Sequence, residues 1–360
     1  MPFVHVRLSS FRNLADAEVG VDAERVFLVG ENGQGKTNFL EALYYLSFGS
    51  SFRGPVDGAA ARRGSAGFAL SCACRGAEGM PEDEIRVAWE EKAKDIRLNG
   101  KPVRDRKALV ELNPAVVFCH EDFAFAAGEP ERRRFFFDQT AGLVSPGYID
   151  TLRDYKRILR QRNAALRDNR HGLLEALDLQ LAGRGIELRE ARTALQAAFD
   201  GRFATRYESV SLLGAELRIR YRPSWPPELD IEGVLARLRG KRPEELALGT
   251  SLSGPHRDRW SFASEGRDFA ATASTGQLRL LSLTLRMVQA EHYSAETGRL
   301  PVLLLDDVLL ELDRSRRRRF LELLPPSGQA FFTFLPGESW EDYRTGSTLV
   351  YDMADGRFSV

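Results

Sequence analysis

Gly30-Glu31-Asn32-Gly33-Gln34-Gly35-Lys36-Thr37-Asn38 follows directly on the apolar run Val26 to Val29. The stretch fits G-x-x-x-x-G-K-[ST], the pattern of a phosphate loop set between a strand and a helix. Gly30, Gly33 and Gly35 let the backbone turn tightly, so that N–H groups of the loop, Glu31, Asn32 and Gln34 included, face a β-phosphate. Lys36 neutralises β/γ oxygens and the Thr37 hydroxyl can hold Mg²⁺. The helix that starts there points its positive dipole end at the anion. The sequence therefore predicts a bound nucleoside triphosphate, read as ATP with Mg²⁺.

Two later segments narrow the class. Pro301-Val302-Leu303-Leu304-Leu305-Asp306-Asp307 is a short apolar run ending in two carboxylates, the form of a buried parallel strand that delivers an acid to the nucleotide. Asp306 would hold the metal with Thr37. Asp307 stands where ATP-binding-cassette proteins carry the carboxylate that orients or deprotonates the attacking water, and Glu311-Leu312-Asp313 looks like their D-loop. Ser274-Thr275-Gly276-Gln277 opens an apolar helical pattern and resembles the cassette signature, in which Ser274 would cover the γ-phosphate held by another subunit. Taken alone, the same four residues are also an ordinary helix cap.

Asp306 follows Lys36 by 270 residues. That is too far for a small Ras-like or RecA-like core and too near for the long coiled coils of SMC-type proteins, so only a short helical arm fits. Residues 151–170 place Leu152, Tyr155, Leu159 and Leu166 on one stripe, and 174–198 continue it with Leu174, Leu177, Leu181, Leu188, Ala191, Leu195 and Ala198, interrupted by Gly183 and Gly185. A helix of some 30 residues reaches only about 45 Å.

With these motifs in order, the chain resembles the RecF family of recombination-mediator ATPases, in the SMC-like ABC group, nearly end to end. The resemblance is carried by Phe11-Arg12-Asn13, the loop with Asn38 and Leu40-Glu41-Ala42, Arg132-Arg133-Arg134-Phe135 with Asp138, Gln161-Arg162-Asn163, Gly254-Pro255-His256-Arg257-Asp258, Ser274 to Gln277, and Leu303 to Asp307 with Glu311 to Asp313. It implies that Arg12 and Asn13 lie against the nucleotide. It also implies an ATP-dependent homodimer that clamps DNA, single-stranded or gapped and junction DNA, and helps load recombinase in gap repair and the SOS response, with RecR, RecO and RecA as partners. Where the family has a run of threonines before an acid, this chain reads Thr333-Phe334-Leu335-Pro336, so no γ-phosphate switch residue is assigned there. Asp307 is one methylene shorter than the glutamate usual in transporters, which suits slow hydrolysis used as an assembly switch. The alternatives are another SMC-like repair ATPase, disfavoured by arm length, the nucleotide-binding subunit of a membrane transporter, disfavoured by the basic arm, and a clamp that binds ATP without hydrolysing it, disfavoured by the two carboxylates.

A chain of 360 residues with 43% hydrophobic content can bury a large core in two lobes. Met1 to Leu14 alternates like a strand rather than a signal peptide, no apolar run approaches the ~20 residues of a membrane span, and the expected compartment is the cytoplasm. Cys72, Cys74 and Cys119 lack zinc-ligand spacing, and the first two are expected to share one face of a strand. The net charge of +0 confines any DNA contact to local clusters. Residues 151–170 carry seven basic against two acidic residues, with Arg153, Arg157 and Arg160 as the candidate phosphate contacts; Arg316 to Arg319 form a second run. Either run can equally be a solvated helix face.

The expected layout is an α/β, SMC-head-like P-loop ATPase lobe from 1–122 with 298–360, and a second, mainly helical lobe from 123–297 that carries the short arm and the signature. Strands are expected near 3–8, 17–21, 26–29, 67–74, 85–89 and 94–98, with Asn99-Gly100 a hairpin turn and 76–83 a surface loop. Pro223-Ser224-Trp225-Pro226-Pro227 should end any helix.

Overall fold

A computed structural model describes residues 2–54, 56–76, 81–168, 170–211, 216–309 and 312–360. Two compact units share the chain: the first takes 1–122 and 289–360, the second 123–288.

In the first unit, one sheet is antiparallel: β1 (Phe3–Ser9) lies between β2 (Ala17–Gly20) and β4 (Gly67–Cys74), followed by β5 (Asp83–Glu90), β6 (Ala93–Leu98) and β7 (Lys101–Pro102). Asn99 and Gly100, both at positive φ (51° and 75°), make the turn from β6 to β7, as two-residue hairpins of this twist require. Cys72 and Cys74 are buried on β4 with their sulfurs 3.7 Å apart, and burial holds the Cys72 thiol well above its ordinary range. Residues 77–80 of the expected surface loop lie outside the described residues.

The other sheet is ordered β15 (Arg357–Ser359), β14 (Thr348–Ala354), β3 (Arg25–Val29), β13 (Gln329–Phe334), β12 (Val302–Leu305), β8 (Ala115–Phe118). All its neighbours are parallel except β15 on β14. Strands β3, β13, β12 and β8 are buried on both faces along nearly their whole length, which is why they read as nearly continuous apolar runs rather than alternations. Helix α1 (Lys36–Phe48) buries residues around its whole circumference. Phe39, Leu40 and Leu43 share one core with β1, β4 and β5 on one sheet and β3 and β12 on the other. The helix that opens at the phosphate loop is thus held between two sheets. Short helix α2 (Lys107–Leu112) leads into β8.

The second unit contains α3 (Phe123–Ala127), α4 (Pro130–Val144), α5 (Pro146–Arg167), α6 (His171–Ser211), α7 (Ile231–Leu248) and most of α8 (Thr275–Thr297). Helix α6 has 41 residues, about 60 Å, and so exceeds the length read from the sequence. Gly183 and Gly185 do not interrupt it. A Cβ on Gly185 would sit 2.3 Å from Cζ3 of the buried Trp225, so the glycine is a close-packing residue and the rest of the helix carries its propensity cost. On the stripe, Ala198 is exposed and Phe199 is the buried residue.

Two further corrections concern this unit. The mainly helical reading omits a three-stranded antiparallel sheet, β9 (Leu217–Arg222) between helices, then β10 (Arg259–Ser264) and β11 (Arg267–Asp268). Its strands are short, and β9 is half arginine, a weak signal beside long helices. Arg162, counted above among the basic residues of the arm, is fully buried. Its Nε donates to Asp178 at 2.6 Å and its Nη1 to Ser251 at 2.7 Å. Its Nη2 lies 2.7 Å from Glu245 Oε2, an ion pair by distance although out of line for a hydrogen bond.

A second buried knot joins the blocks Asp138 and Gly254 to Asp258. Arg192 pairs with Asp138 at 2.9 Å and Asp258 at 2.7 Å, and Asp258 also accepts from Tyr221 and the Ser224 N–H. Tyr155 meets His256 Nδ1 at 2.7 Å while Nε2 faces the Ser251 carbonyl. Burial pushes His256 down to about 4, so it is a neutral structural histidine across the physiological range.

Candidate nucleotide-binding site

The loop 30–35 leaves β3 and enters α1 at the C-terminal edge of the parallel strands, where open α/β sheets place ligands. Gly35 has φ +108°, and a Cβ there would stand 2.8 Å from Leu14 Cδ2, so glycine is required. No side chain caps α1, which leaves its first-turn N–H groups directed at the loop mouth. Glu31, Asn32 and Gly33 are exposed. Gln34 is tied to the β14–β15 hairpin, its Oε1 accepting the Asp355 N–H at 2.5 Å.

Lys36 is buried, and its Nζ donates to the carbonyls of Gly30 at 2.6 Å and Glu31 at 3.0 Å. The lysine closes the loop on itself, with one ammonium proton left for a phosphate. Thr37 donates its hydroxyl to Asp306 Oδ1 at 2.7 Å. Two groups 269 residues apart, one hydroxyl and one carboxylate, thus meet at the foot of α1. Burial first, with the neighbouring Asp307 adding to it, pushes the Asp306 carboxyl up to about 7. A buried carboxylate steadied by one hydroxyl is a donor set that fits a divalent cation, which takes oxygen ligands of this kind together with substrate phosphates and water.

Asp307 stands at φ +51°, a strained conformation for a residue with a side chain. Thr333 on β13 holds it there: the Asp307 N–H donates to Thr333 Oγ1 at 2.8 Å, and that hydroxyl donates to Asp307 Oδ1 at 2.9 Å. Sequence reading assigned Thr333 no role; its position on the strand beside the turn makes it the residue that orients Asp307.

Asn13 touches the loop, its Nδ2 donating to the Gly33 carbonyl at 2.9 Å, and Asn38 donates to Asn13 Oδ1 at 2.7 Å. Arg12 lies beside them, but its guanidinium is engaged with buried Glu41 through Nε at 2.9 Å and Nη2 at 2.7 Å, and with the Ala59 carbonyl. Arg53 also reaches Asn38 at 2.9 Å. Ser274 belongs to the second unit, exposed at the start of α8. Its N–H donates to Gln277 Oε1 at 2.7 Å and its Oγ accepts the Gln277 N–H at 3.3 Å, a reciprocal capping box. Glu311 of the D-loop-like segment is outside the described residues. Arg153, Arg157 and Arg160 are exposed along α5, Arg153 3.7 Å from Asp150 and Arg157 2.8 Å from Asp154.

The raised Asp306 carboxyl has a measurable sign. The folded state holds a proton between the unfolded value near 4 and the folded value of about 7, so its contribution to stability is present below that window and is lost as pH rises through it. Ligand-free Asp306→Asn should therefore be more stable than the parent at pH 8, on the order of 2 kcal/mol, and equal to it near pH 4. Melting temperature against pH reads this, and an identical profile in both proteins would contradict it.

The profile of the RecF/RecN/SMC N terminal domain family matches residues 3–338. The DNA replication and repair protein RecF of Treponema pallidum (strain Nichols) is 41% identical over 349 residues, 96% of this chain and 98% of that protein. Among solved structures, the recombination mediator protein RecF with ATP in the RecFOR pathway superposes with a TM-score of 0.90 at 26% identity, covering 99% of this chain and 96% of that one. An SMC head bound to the C-terminal winged-helix domain of ScpA shares the fold, with a TM-score of 0.59 at 14% identity over 100% of this chain and 97% of that one.

Proposed function

The chain belongs to the RecF/RecN/SMC N-terminal domain family, and from that premise we propose that it is a slow ATPase of DNA replication and repair that uses ATP to assemble a DNA-binding dimer. The observation that carries the reading is the meeting of Lys36, Thr37 and Asp306 at one end of the parallel sheet. Thr37 and Asp306 would hold Mg²⁺ between them, and the cation would neutralise charge on the β- and γ-phosphates. Asp307, fixed by Thr333, would orient the attacking water. Its short side chain and strained backbone suit a low turnover, since hydrolysis here ends an assembled state rather than driving a cycle.

Ser274 is exposed at a helix N-terminus, where a hydroxyl and a helix dipole both favour an anion. In a dimer it would cover the γ-phosphate held by the other copy, which makes the closed state depend on ATP. DNA, single-stranded or gapped, is the partner this reading names. RecR and RecO follow from the pathway in which the similar structure stands, and RecA from recombinase loading, all within the cytoplasm. No helix among the described residues is long and apolar enough to cross a membrane.

Light scattering with and without ATP tests the assembly. The parent should form a dimer only with ATP. Ser274→Arg should bind ATP as a monomer with nearly parental affinity and form no dimer, because the larger side chain fills the space a phosphate would take. A Ser274→Arg protein that still dimerised with ATP would remove Ser274 from the shared site. DNA titration with and without ATP tests the rest, and parental binding indifferent to ATP would defeat the switch.

A further inference from the structure

Residues 217–222 read Leu-Arg-Ile-Arg-Tyr-Arg, an alternation of period two that puts three arginines on one face of β9 and three apolar groups on the other. Leu217 and Ile219 are buried and Arg218, Arg220 and Arg222 are exposed. The register with β10 pairs Arg222 with Arg259, Arg220 with Ser261 and Arg218 with Ala263. Residues directly opposite on antiparallel strands share a face with Cβ atoms about 5 Å apart, and like charges so placed are destabilising. Arg222 and Arg259, both exposed, are such a pair.

No acidic side chain among the described residues pairs with either of them. Arg218 is answered by Asp200 at 3.0 Å and Glu216 at 2.8 Å. Arg220, Arg222 and Arg259 have no hydrogen-bonded or ion-paired partner among the described residues. The acid on this face of β11, Asp268, opposes Ala263 and turns to cap the Ala270 N–H. On the helical arm Arg153 and Arg157 already carry Asp150 and Asp154, and of the three candidates there only Arg160 has no such partner among the described residues.

We propose that this outer sheet face binds the phosphate backbone of DNA through Arg220, Arg222 and Arg259, a surface that rests on the DNA-binding reading above and locates it away from the arm. Alternate residues on an antiparallel strand repeat at about 6.8 Å, a ladder suited to successive phosphates of one strand, and the guanidinium fork matches phosphate oxygens bidentately. Opposite Arg220 and Arg218 on β10 stand Ser261 and the buried Ala263. The described strand residues of this face therefore include no aromatic or large aliphatic anchor of the kind that centres protein interfaces, and they suit phosphate contact without base readout.

The test uses the full chain with Arg220→Gln, Arg222→Gln and Arg259→Gln combined, titrated with labelled duplex and single-stranded DNA, with ATP, at several salt concentrations. Affinity should fall at least about tenfold at low salt, alike for all sequences, and the slope of log affinity against log salt on duplex should flatten by up to ~0.9 for each lost contact. ATP hydrolysis without DNA should be unchanged, and the melting temperature should not drop, because the like-charge pair is gone; a merely structural role would lower it. A parent that binds DNA beside a triple variant of equal affinity and slope overturns the proposal and leaves the DNA-binding reading intact. Loss of DNA binding in Arg153→Ala, Arg157→Ala, Arg160→Ala instead moves the contact to the arm. A triple Gln variant that binds DNA normally but no longer binds polyglutamate gives the face to an acidic protein segment. A parent that fails to bind DNA with ATP overturns both.

Discussion

Lys36→Ala should lower ATP affinity by about two orders of magnitude or more while leaving the fold in place. The ammonium group is buried and already donates to the Gly30 and Glu31 carbonyls, so it serves two ends. It keeps the loop closed, and in the proposed site it would present its remaining proton and its charge to the β/γ-phosphates. A hydrogen bond between charged groups contributes about 1.5–3 kcal/mol, equivalent to roughly 10–150-fold in affinity, and a slackened loop adds to the loss. Asp307→Asn makes the contrast. The amide keeps the size of the side chain and an oxygen for Thr333, so ATP affinity should stay within a few-fold of the parent while hydrolysis slows by about 10²–10⁴, the usual contribution of a positioned general base. Equilibrium binding of a fluorescent ATP analogue and phosphate release separate the two. Unchanged affinity in Lys36→Ala would end the phosphate-loop assignment, and unchanged hydrolysis in Asp307→Asn would place the catalytic carboxylate elsewhere.

Legibility in the sequence tracked how local each cause is. The loop from Gly30 to Thr37 announces itself because its chemistry is packed into eight consecutive residues, and Val302 to Leu305 does so because a strand buried on both faces must be apolar throughout. The Asn99-Gly100 turn is likewise written in two residues. Thr333 is not legible: inside Gln-Ala-Phe-Phe-Thr-Phe it is one polar residue in a buried strand, and its hold on Asp307 exists only through the side-by-side placement of β13 and β12. Gly185 looked like a helix breaker because its reason, the ring of Trp225, lies 40 residues downstream. Arg162 is the instructive case. It stands seven residues after Tyr155 and four before Leu166, on the apolar stripe of α5, whereas Arg153, Arg157 and Arg160 stand off it. Helical phase distinguished the buried arginine from the exposed ones; a charge count over the segment did not.

That phase predicts a large stability effect at Arg162. Its side chain is fully buried beside Asp178 and Glu245, themselves 2% and 0% exposed. Arg242 also reaches Asp178 at 2.8 Å, so Asp178 keeps a cation when Arg162 is removed, whereas among the described residues Glu245 pairs with Arg162 alone. Arg162→Met, which fills much of the volume without the charge, should destabilise the protein by about 3–5 kcal/mol, because a carboxylate is left buried without its counter-charge. Glu245→Gln added to Arg162→Met should recover much of the loss, since the amide carries no charge to bury and still accepts the Leu252 N–H, as Glu245 Oε1 does at 2.7 Å. Denaturant unfolding at pH 8 measures all three proteins. If Arg162→Met cost less than 1 kcal/mol at pH 8, the arginine would be replaceable by packing alone, and the buried network would contribute specificity of fold rather than stability.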